Sequence, residues 1–357
     1  MKTILVSAGV SLLLALFGTP LAIRFFVSRG YGQPIREDGP AGHSIKRGTP
    51  TMGGTVIVIA ALIGYLVGHL ATDDPMSSSG LLVLALMTGL GAVGFIDDFI
   101  KITKQTSLGL RSSAKLAGQL VIGALFAIEV LRHPDGYSLT PADAHISFLR
   151  DVGPALGVLP FVLWVVILIA GTSNAVNLAD GLDGLATGSS ILVLAAYVLI
   201  SIWQERNDCT IALTQKCYAI ASPLDLAVVA AVVLGACFGF LWWYAPTAKI
   251  FMGDTGSLAL GGVLAGLAVT TKTQLLLAVL GGLFVIIALS DIIQVGVFKV
   301  TRIRTGRGYR VFKMAPLQHH FEMLGWEATT IVIRFWLVAG LFVALGLGIF
   351  YVEWLPG

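Results

Sequence analysis

Ten apolar stretches long enough to meet a bilayer divide this 357-residue chain, and they leave few folds open to it. They lie near 3–23, 52–71, 80–96, 115–131, 157–174, 187–203, 224–243, 256–270, 275–297 and 329–350. A helix needs roughly 20 residues to cross the hydrocarbon core, and only the Gly-rich 256–270 run is short enough to need help from its neighbours. Charged residues make up 12% of the chain, about half the share of a soluble domain. The 42 glycines suit close helix–helix contacts in lipid. The first run lacks a small-residue cleavage site and is followed at once by Arg24 and Arg29, so it reads as a retained span, not a signal peptide. The expected fold is an all-α, polytopic integral membrane protein of about ten transmembrane helices, forming one domain over 1–357.

Ten spans put alternate loops on alternate sides. One set comprises 24–51, 97–114, 174–186, 244–255 and 298–328, and with Lys115 and Arg334, each just inside an adjoining span, it holds 17 of the 23 Lys and Arg. The positive-inside rule places that set in the cytoplasm and both termini outside. Trp203, Trp242, Trp243 and Trp354 fall near span ends, where amphipathic rings favour the headgroup layer. Tyr244, next to two of them, reads as another belt residue. The 132–156 segment reads as an ordinary external loop. A net charge of +3 argues against nucleic acid as a partner. Cys237 sits in an apolar run and reads as a packed thiol. Cys209 and Cys217 share a polar loop and pair only if it faces an oxidising compartment.

Chemistry-bearing residues gather on the cytoplasmic set. At the end of the third span, Asp97 and Asp98 stand in FIDDFIK. Adjacent carboxylates at a membrane boundary are costly, and a helix C-terminus disfavours anions, so a solvated end paired to Lys101 and Lys104 explains them poorly. Asn174, Asn177, Asp180 and Asp183 recur every third residue and form a polar row, with Gly181 and Gly184 allowing close approach of a ligand. Asp254, in FMGDTGS before an apolar helix, is either an N-cap or a Mg2+ ligand bridging to phosphate. KRGTPTMGG at 46–54 supplies Lys46, Arg47 and the hydroxyl of Thr51. The last long loop carries His319 and His320 in MAPLQHHFE, without an HExxH zinc pattern. Several carboxylates for a metal and several cations for anionic oxygens are what phosphoryl transfer between anionic partners requires.

In order and content these five motifs resemble the polyprenyl-phosphate N-acetylhexosamine-1-phosphate transferases, over nearly the whole chain, and within them the muramoyl-pentapeptide branch. The resemblance implies UDP-N-acetylmuramoyl-pentapeptide as donor, undecaprenyl phosphate as acceptor, lipid I and UMP as products, and Mg2+ as cofactor. The setting it implies is the bacterial cytoplasmic membrane, with the site facing the cytoplasm. It makes Asp97, Asp98 and Asp254 catalytic, with Asp97 the base and Asp254 the metal ligand. Lys46, Lys115, Asn177, Asp180, Asp183 and Phe251 are similar to the family's substrate-binding positions, to which the motifs add Thr51 and Asn174. His319 and His320 match two of three usual histidines.

The chain departs from the pattern twice. Gln318 stands where the first histidine commonly sits, and Tyr244 stands where Asn is expected, which offers a sharper reading of Tyr244 as a replaced substrate contact. One-step attack by the lipid phosphate and a route through a phospho-aspartate both fit, the former needing no separate nucleophile. A sibling transferase for UDP-N-acetylglucosamine would carry a different His-rich loop. A transporter would place its polar site near the midplane, where only Asp291 lies. The oligomeric state is open, a homodimer included.

Overall fold

The computed structural model describes residues 1–32, 48–105, 109–209 and 216–353. Among these, the helices in chain order are α1 (Lys2–Ser28), α2 (Gly54–Thr72), α3 (Ser78–Lys104), α4 (Ser112–Glu129), α5 (Val158–Ala179), α6 (Leu185–Arg206), α7 (Pro223–Tyr244), α8 (Gly253–Thr270), α9 (Leu276–Leu280), α10 (Gly282–Thr305), α11 (Leu317–Glu322) and α12 (Ala328–Val352). Eight of them, α1, α2, α3, α5, α6, α7, α10 and α12, are long and apolar enough to cross a membrane. The chain is thus an all-α, multi-pass membrane protein. The two remaining expected runs also form helices, α4 and α8, each 18 residues long with polar residues in its first turn.

Burial separates an inner from an outer layer. From Thr255 to Thr270 every residue of α8 is buried, and α7 is nearly as enclosed, whereas α1, α10 and α12 show most of their apolar side chains outward. α8 packs on α3 and α5, and α7 on α1, α6 and α2. Hydrocarbon offers no drive to bury one apolar face rather than another, so such contacts depend on close approach of backbones. Gly94 provides one: a Cβ there would collide with the Asp254 carbonyl, so glycine brings α3 against the start of α8.

The expected runs differ from the helices at their ends. The segment 275–297 is not one span: it breaks at Gly281 into the five-residue α9 and then α10, which continues to Thr305. α3 likewise runs through Asp97 and Asp98 to Lys104, so these residues sit in helix, not loop. α5 carries Asn174 and Asn177. Helical hydrogen bonding outlasts the apolar pattern because the polar ends pack on one another.

The opposite ends of these helices are also tied. Asp225, in the first turn of α7, accepts from the Tyr65 hydroxyl at 2.8 Å and from the backbone and hydroxyl of Ser77 at 2.9 and 2.5 Å, and it pairs with His69 Nε2 at 2.9 Å. The 132–156 segment is more than a plain loop. It holds a two-stranded antiparallel pair, β1 (Ile146–Ser147) and β2 (Asp151–Val152). Lys272 clamps it to the α8–α9 turn through Asp143 at 2.6 Å and Asp151 at 3.0 Å. Burial alone would raise Asp143, but the Lys272 hydrogen bond and charge, with His145, hold it below the ordinary carboxylate range, and the same pairs raise Lys272 against its burial. Cys209 and Cys217 form a disulfide and Cys237 is a buried free thiol. Arg150 fastens that bridge, donating to the Cys217 carbonyl and to Glu353, both at 2.6 Å.

Candidate active site

The carboxylates of Asp97, Asp98 and Asp254 meet where the end of α3 crosses the start of α8, each offering an oxygen within 4.8 Å of the others. Adjacent positions on a helix diverge by about 100°, so Asp97 and Asp98 take different partners. Asp97 Oδ1 accepts from the backbone N–H of Leu110, in the α3–α4 loop, at 2.7 Å. Asp98 faces α8 instead. Its Oδ1 accepts from the N–H of Asp254 at 3.2 Å, and its Oδ2 accepts from the N–H and hydroxyl of Thr255 at 2.9 and 2.8 Å. Free N–H groups and the helix dipole favour an anion there. Asp98 therefore caps α8 from another helix, while Asp254, the capping candidate, keeps its side chain for other contacts.

The backbone makes room for this cap. Gly253 has φ +73, and a Cβ on it would lie 2.5 Å from Asp98 Oδ2 and 2.9 Å from the Thr51 hydroxyl. Residues 50–54 and 251–252 run alongside each other: Phe251 N–H donates to the Pro50 carbonyl, Gly53 N–H to the Phe251 carbonyl and Gly54 N–H to the Met252 carbonyl, each at 2.8 Å. Thr51 and Phe251 are thereby carried to the edge of the carboxylate cluster, with Thr51 buried. Lys46 lies outside the described residues.

Two lysines hold the cluster together. Lys101 Nζ is 2.6 Å from Asp97 Oδ2, 2.7 Å from Asp254 Oδ2 and 3.7 Å from Asp98 Oδ1, and Lys115 Nζ is 3.0 Å from Asp254 Oδ2. Lys115 was expected here; Lys101 was weighed only as the partner of a solvated helix end, yet its i+4 and i+3 spacing from the two aspartates brings it into the cluster. On α5, Asn177 donates to Asp254 Oδ1 at 2.6 Å and to Ser257 at 2.8 Å. Asn174 lies a turn deeper and donates to Gln119 on α4 at 2.9 Å, so it joins two helices and does not reach the carboxylates.

The turn between α5 and α6 brings Asp180 and Asp183. Asp183 accepts weakly from the Ala248 N–H at 3.4 Å. Asp180 accepts from the Tyr244 hydroxyl at 2.6 Å. Burial pushes Asp180 well above the ordinary carboxylate range; the Tyr244 hydrogen bond opposes this, while the charges of Asp254, Asp98 and Asp183 add to it. Tyr244 is not a belt residue: it is 2% exposed, whereas Trp242 two positions earlier is 75% exposed.

The short α11 docks on the same turn. Gln318 is fully buried and donates to the Leu178 carbonyl at 2.7 Å. A Cβ on Gly181 would lie 2.7 Å from His319 Nε2, which places that imidazole against the turn, while its Nδ1 meets Glu322 at 2.6 Å. His320 points elsewhere: its Nδ1 accepts from the Lys313 N–H at 3.1 Å and its ring lies between Phe312 and Phe321. Asp291 is half-buried on α10 and makes no hydrogen bond or ion pair among the described residues.

A multi-pass helical protein with clustered carboxylates and lysines at its helix ends is built to act on phosphates beside a membrane, and the comparisons with known proteins agree with that class. The profile of glycosyl transferase family 4 matches residues 80–272, and phospho-N-acetylmuramoyl-pentapeptide-transferase signature 1 matches residues 46–58. The chain is 58% identical to the phospho-N-acetylmuramoyl-pentapeptide-transferase of Kineococcus radiotolerans and 58% identical to that of Thermobifida fusca, over 100% of each chain in both cases. It is 53% identical to the Streptomyces griseus protein of the same name over 99% of each. The chain belongs to the phospho-N-acetylmuramoyl-pentapeptide-transferases, within glycosyl transferase family 4.

Proposed function

We propose that this chain transfers phospho-N-acetylmuramoyl-pentapeptide from UDP-N-acetylmuramoyl-pentapeptide to undecaprenyl phosphate, giving lipid I and UMP in the first membrane step of peptidoglycan synthesis. The reaction belongs to the bacterial cytoplasmic membrane, with the site on the cytoplasmic face. The observation that carries the chemistry is the meeting of Asp97, Asp98 and Asp254 beside Lys101 and Lys115. Three hard oxygen donors of this kind suit Mg2+, with Asp254, the more open of the three, the main ligand. When bound, the ion neutralises charge on the donor diphosphate.

The chain's own residues do the rest. An oxygen of the lipid phosphate attacks the sugar-bearing phosphorus of the donor, and the bond from that phosphorus to the bridging oxygen breaks, so UMP departs with the electron pair. Asp97 takes the proton of the acceptor phosphate at Oδ2, the oxygen that Lys101 touches. Lys115 and Lys101 move from carboxylate to phosphate oxygens. Asn177 orients Asp254, and Asp98 holds the start of α8 in place. Lys46, Thr51, Asp180, Asp183, Phe251 and His319 contact the donor. His320 orders its own loop, and Asn174 supports Asn177 from below. Attack is in one step, because the acceptor already supplies an oxyanion.

The test is transfer of label from UDP-N-acetylmuramoyl-pentapeptide to undecaprenyl phosphate by purified protein, run beside UDP-N-acetylglucosamine. Only the first donor is expected to label the lipid. Asp254→Asn and Asp97→Asn should each slow transfer about 100-fold or more. Labelling from the second donor alone rejects the substrate assignment, and near-normal rates for both variants at saturating Mg2+ reject the site.

A further inference from the structure

We infer that Tyr244 is a positioning residue for the transfer, holding Asp180 as an acceptor turned toward the donor substrate. This rests on reading Asp180 as a donor-binding residue. Three observations carry it. Tyr244 closes α7 with its ring packed on Phe240, centroids 5.4 Å apart, so its hydroxyl has no freedom to wander. That hydroxyl reaches the α5–α6 turn and donates to Asp180 Oδ1 at 2.6 Å. The other oxygen, Oδ2, accepts no hydrogen bond among the described residues, and Asp180 is only partly buried. A carboxylate accepts at both oxygens, so one is anchored by the protein and the other is open to a ligand.

The choice of a phenol matters chemically. Asp183 on the same turn, Asp254 on α8 and Asp98 on α3 all place negative charge toward Asp180, and His319 on α11 lies against Gly181 next to it. A phenol donates without carrying a charge, so it fixes the carboxylate while leaving its charge for the substrate. Burial and the crowded negative charge already press Asp180 toward the protonated form, and losing that donor pushes it further the same way, presenting a donor where an acceptor is needed. Asp180 would then be the right residue in the wrong form.

Tyr244→Phe keeps the ring and removes only the donor. The expected result is a donor KM raised about tenfold with kcat little changed, and an acid limb of kcat/KM moved to higher pH. The sign follows because the lost bond was lowering Asp180. Asp180→Asn should raise donor KM at least as much, and adding Tyr244→Phe to it should cost little more, since the two act as a unit. If Asp180→Asn leaves donor KM unchanged, the donor-binding reading of Asp180 fails. If Asp180→Asn raises KM while Tyr244→Phe moves neither KM nor the acid limb, the positioning role alone is overturned. A Tyr244→Phe protein that loses thermal stability without either kinetic change also overturns it, leaving Tyr244 as packing.

Discussion

Asp97 and Asp98 are neighbours in sequence, yet replacing each by Asn should have different physical effects. Asp98 accepts three hydrogen bonds from the first residues of α8, at 3.2, 2.9 and 2.8 Å. An Asn there keeps one acceptor oxygen and turns its amide N–H groups toward another N–H. The change forfeits about one hydrogen bond, worth roughly 1 kcal/mol, and the charge assistance on two others, worth about 1 kcal/mol each. Relief from burying a charge returns part of that, so the net loss is about 2 kcal/mol, a factor of about 30 in the folded ratio. Asp97 accepts one backbone bond, from Leu110 in a loop, and a contact from Lys101, whose Nζ keeps Asp254 as a partner when Asp97 is replaced. Its loss should cost about 1 kcal/mol or less. Thermal unfolding in one detergent should therefore show Asp98→Asn melting about 4 °C or more below the parent, with Asp97→Asn closer to it, while both lose turnover. Equal melting points for the two variants would refute the cap, and with it the account of how α8 presents Asp254.

The disulfide and its loop give a test of orientation. In intact cells, an impermeant reductant followed by an impermeant thiol reagent should label Cys209 and Cys217 but not the buried Cys237; labelling that requires permeabilised cells would reverse the topology and remove the site from the cytoplasm. Lys272→Met should lower the melting temperature near neutral pH by breaking both clamps on the 132–156 segment. Asp143 is lowered, so its share is present above the ordinary carboxylate pKa of about 4 and fades as pH falls through its folded value; Lys272 is raised, so its share is present below about 10.4 and fades as pH rises through its own. The deficit of the variant should be constant between those limits and shrink outside them, and a deficit independent of pH would reject the ion pairs as its source.

Much of this architecture was legible because lipid imposes a simple rule: a spanning helix must be apolar, and every expected run but 275–297 coincides with a single helix. The ends were not legible. Hydropathy ends where charge begins, but α3 continues past Asp97 and Asp98 because their charges are met by α8 and Lys101, partners distant in sequence or a turn away. The gathering of Asp97, Asp98, Asp254 and Asn177 on one face followed from motif chemistry, and Lys115 from the family resemblance. The cap by Asp98 did not, since no spacing within FIDDFIK points at Thr255. Tyr244 was misjudged from its neighbours: successive helical residues face about 100° apart, so exposed Trp242 says nothing of the residue two places on. The break at Gly281 had no hydropathy signal, as both sides of it are apolar.

Charge balance ties the cluster to its chemistry. Asp97, Asp98 and Asp254 bring three negative charges, against two positive from Lys101 and Lys115. The start of α8 adds roughly half a positive charge, and Asp98 already takes its N–H groups. The set is therefore close to neutral but slightly negative, which lets it lie at a membrane boundary without a large desolvation cost. It is badly matched to a diphosphate alone, since drawing either lysine onto phosphate uncovers a carboxylate. A bound divalent cation would remove the conflict, since Asp97, Asp98 and Asp254 could hold it and so keep a partner when Lys101 and Lys115 turn to phosphate. On this account the lysines and the metal are alternatives at the same oxygens. Lys101→Ala should then strengthen Mn2+ binding, read by titration of the protein without substrates, even as it lowers transfer. Weaker Mn2+ binding in that variant would show that Lys101 helps to build the metal site, not that it competes for it.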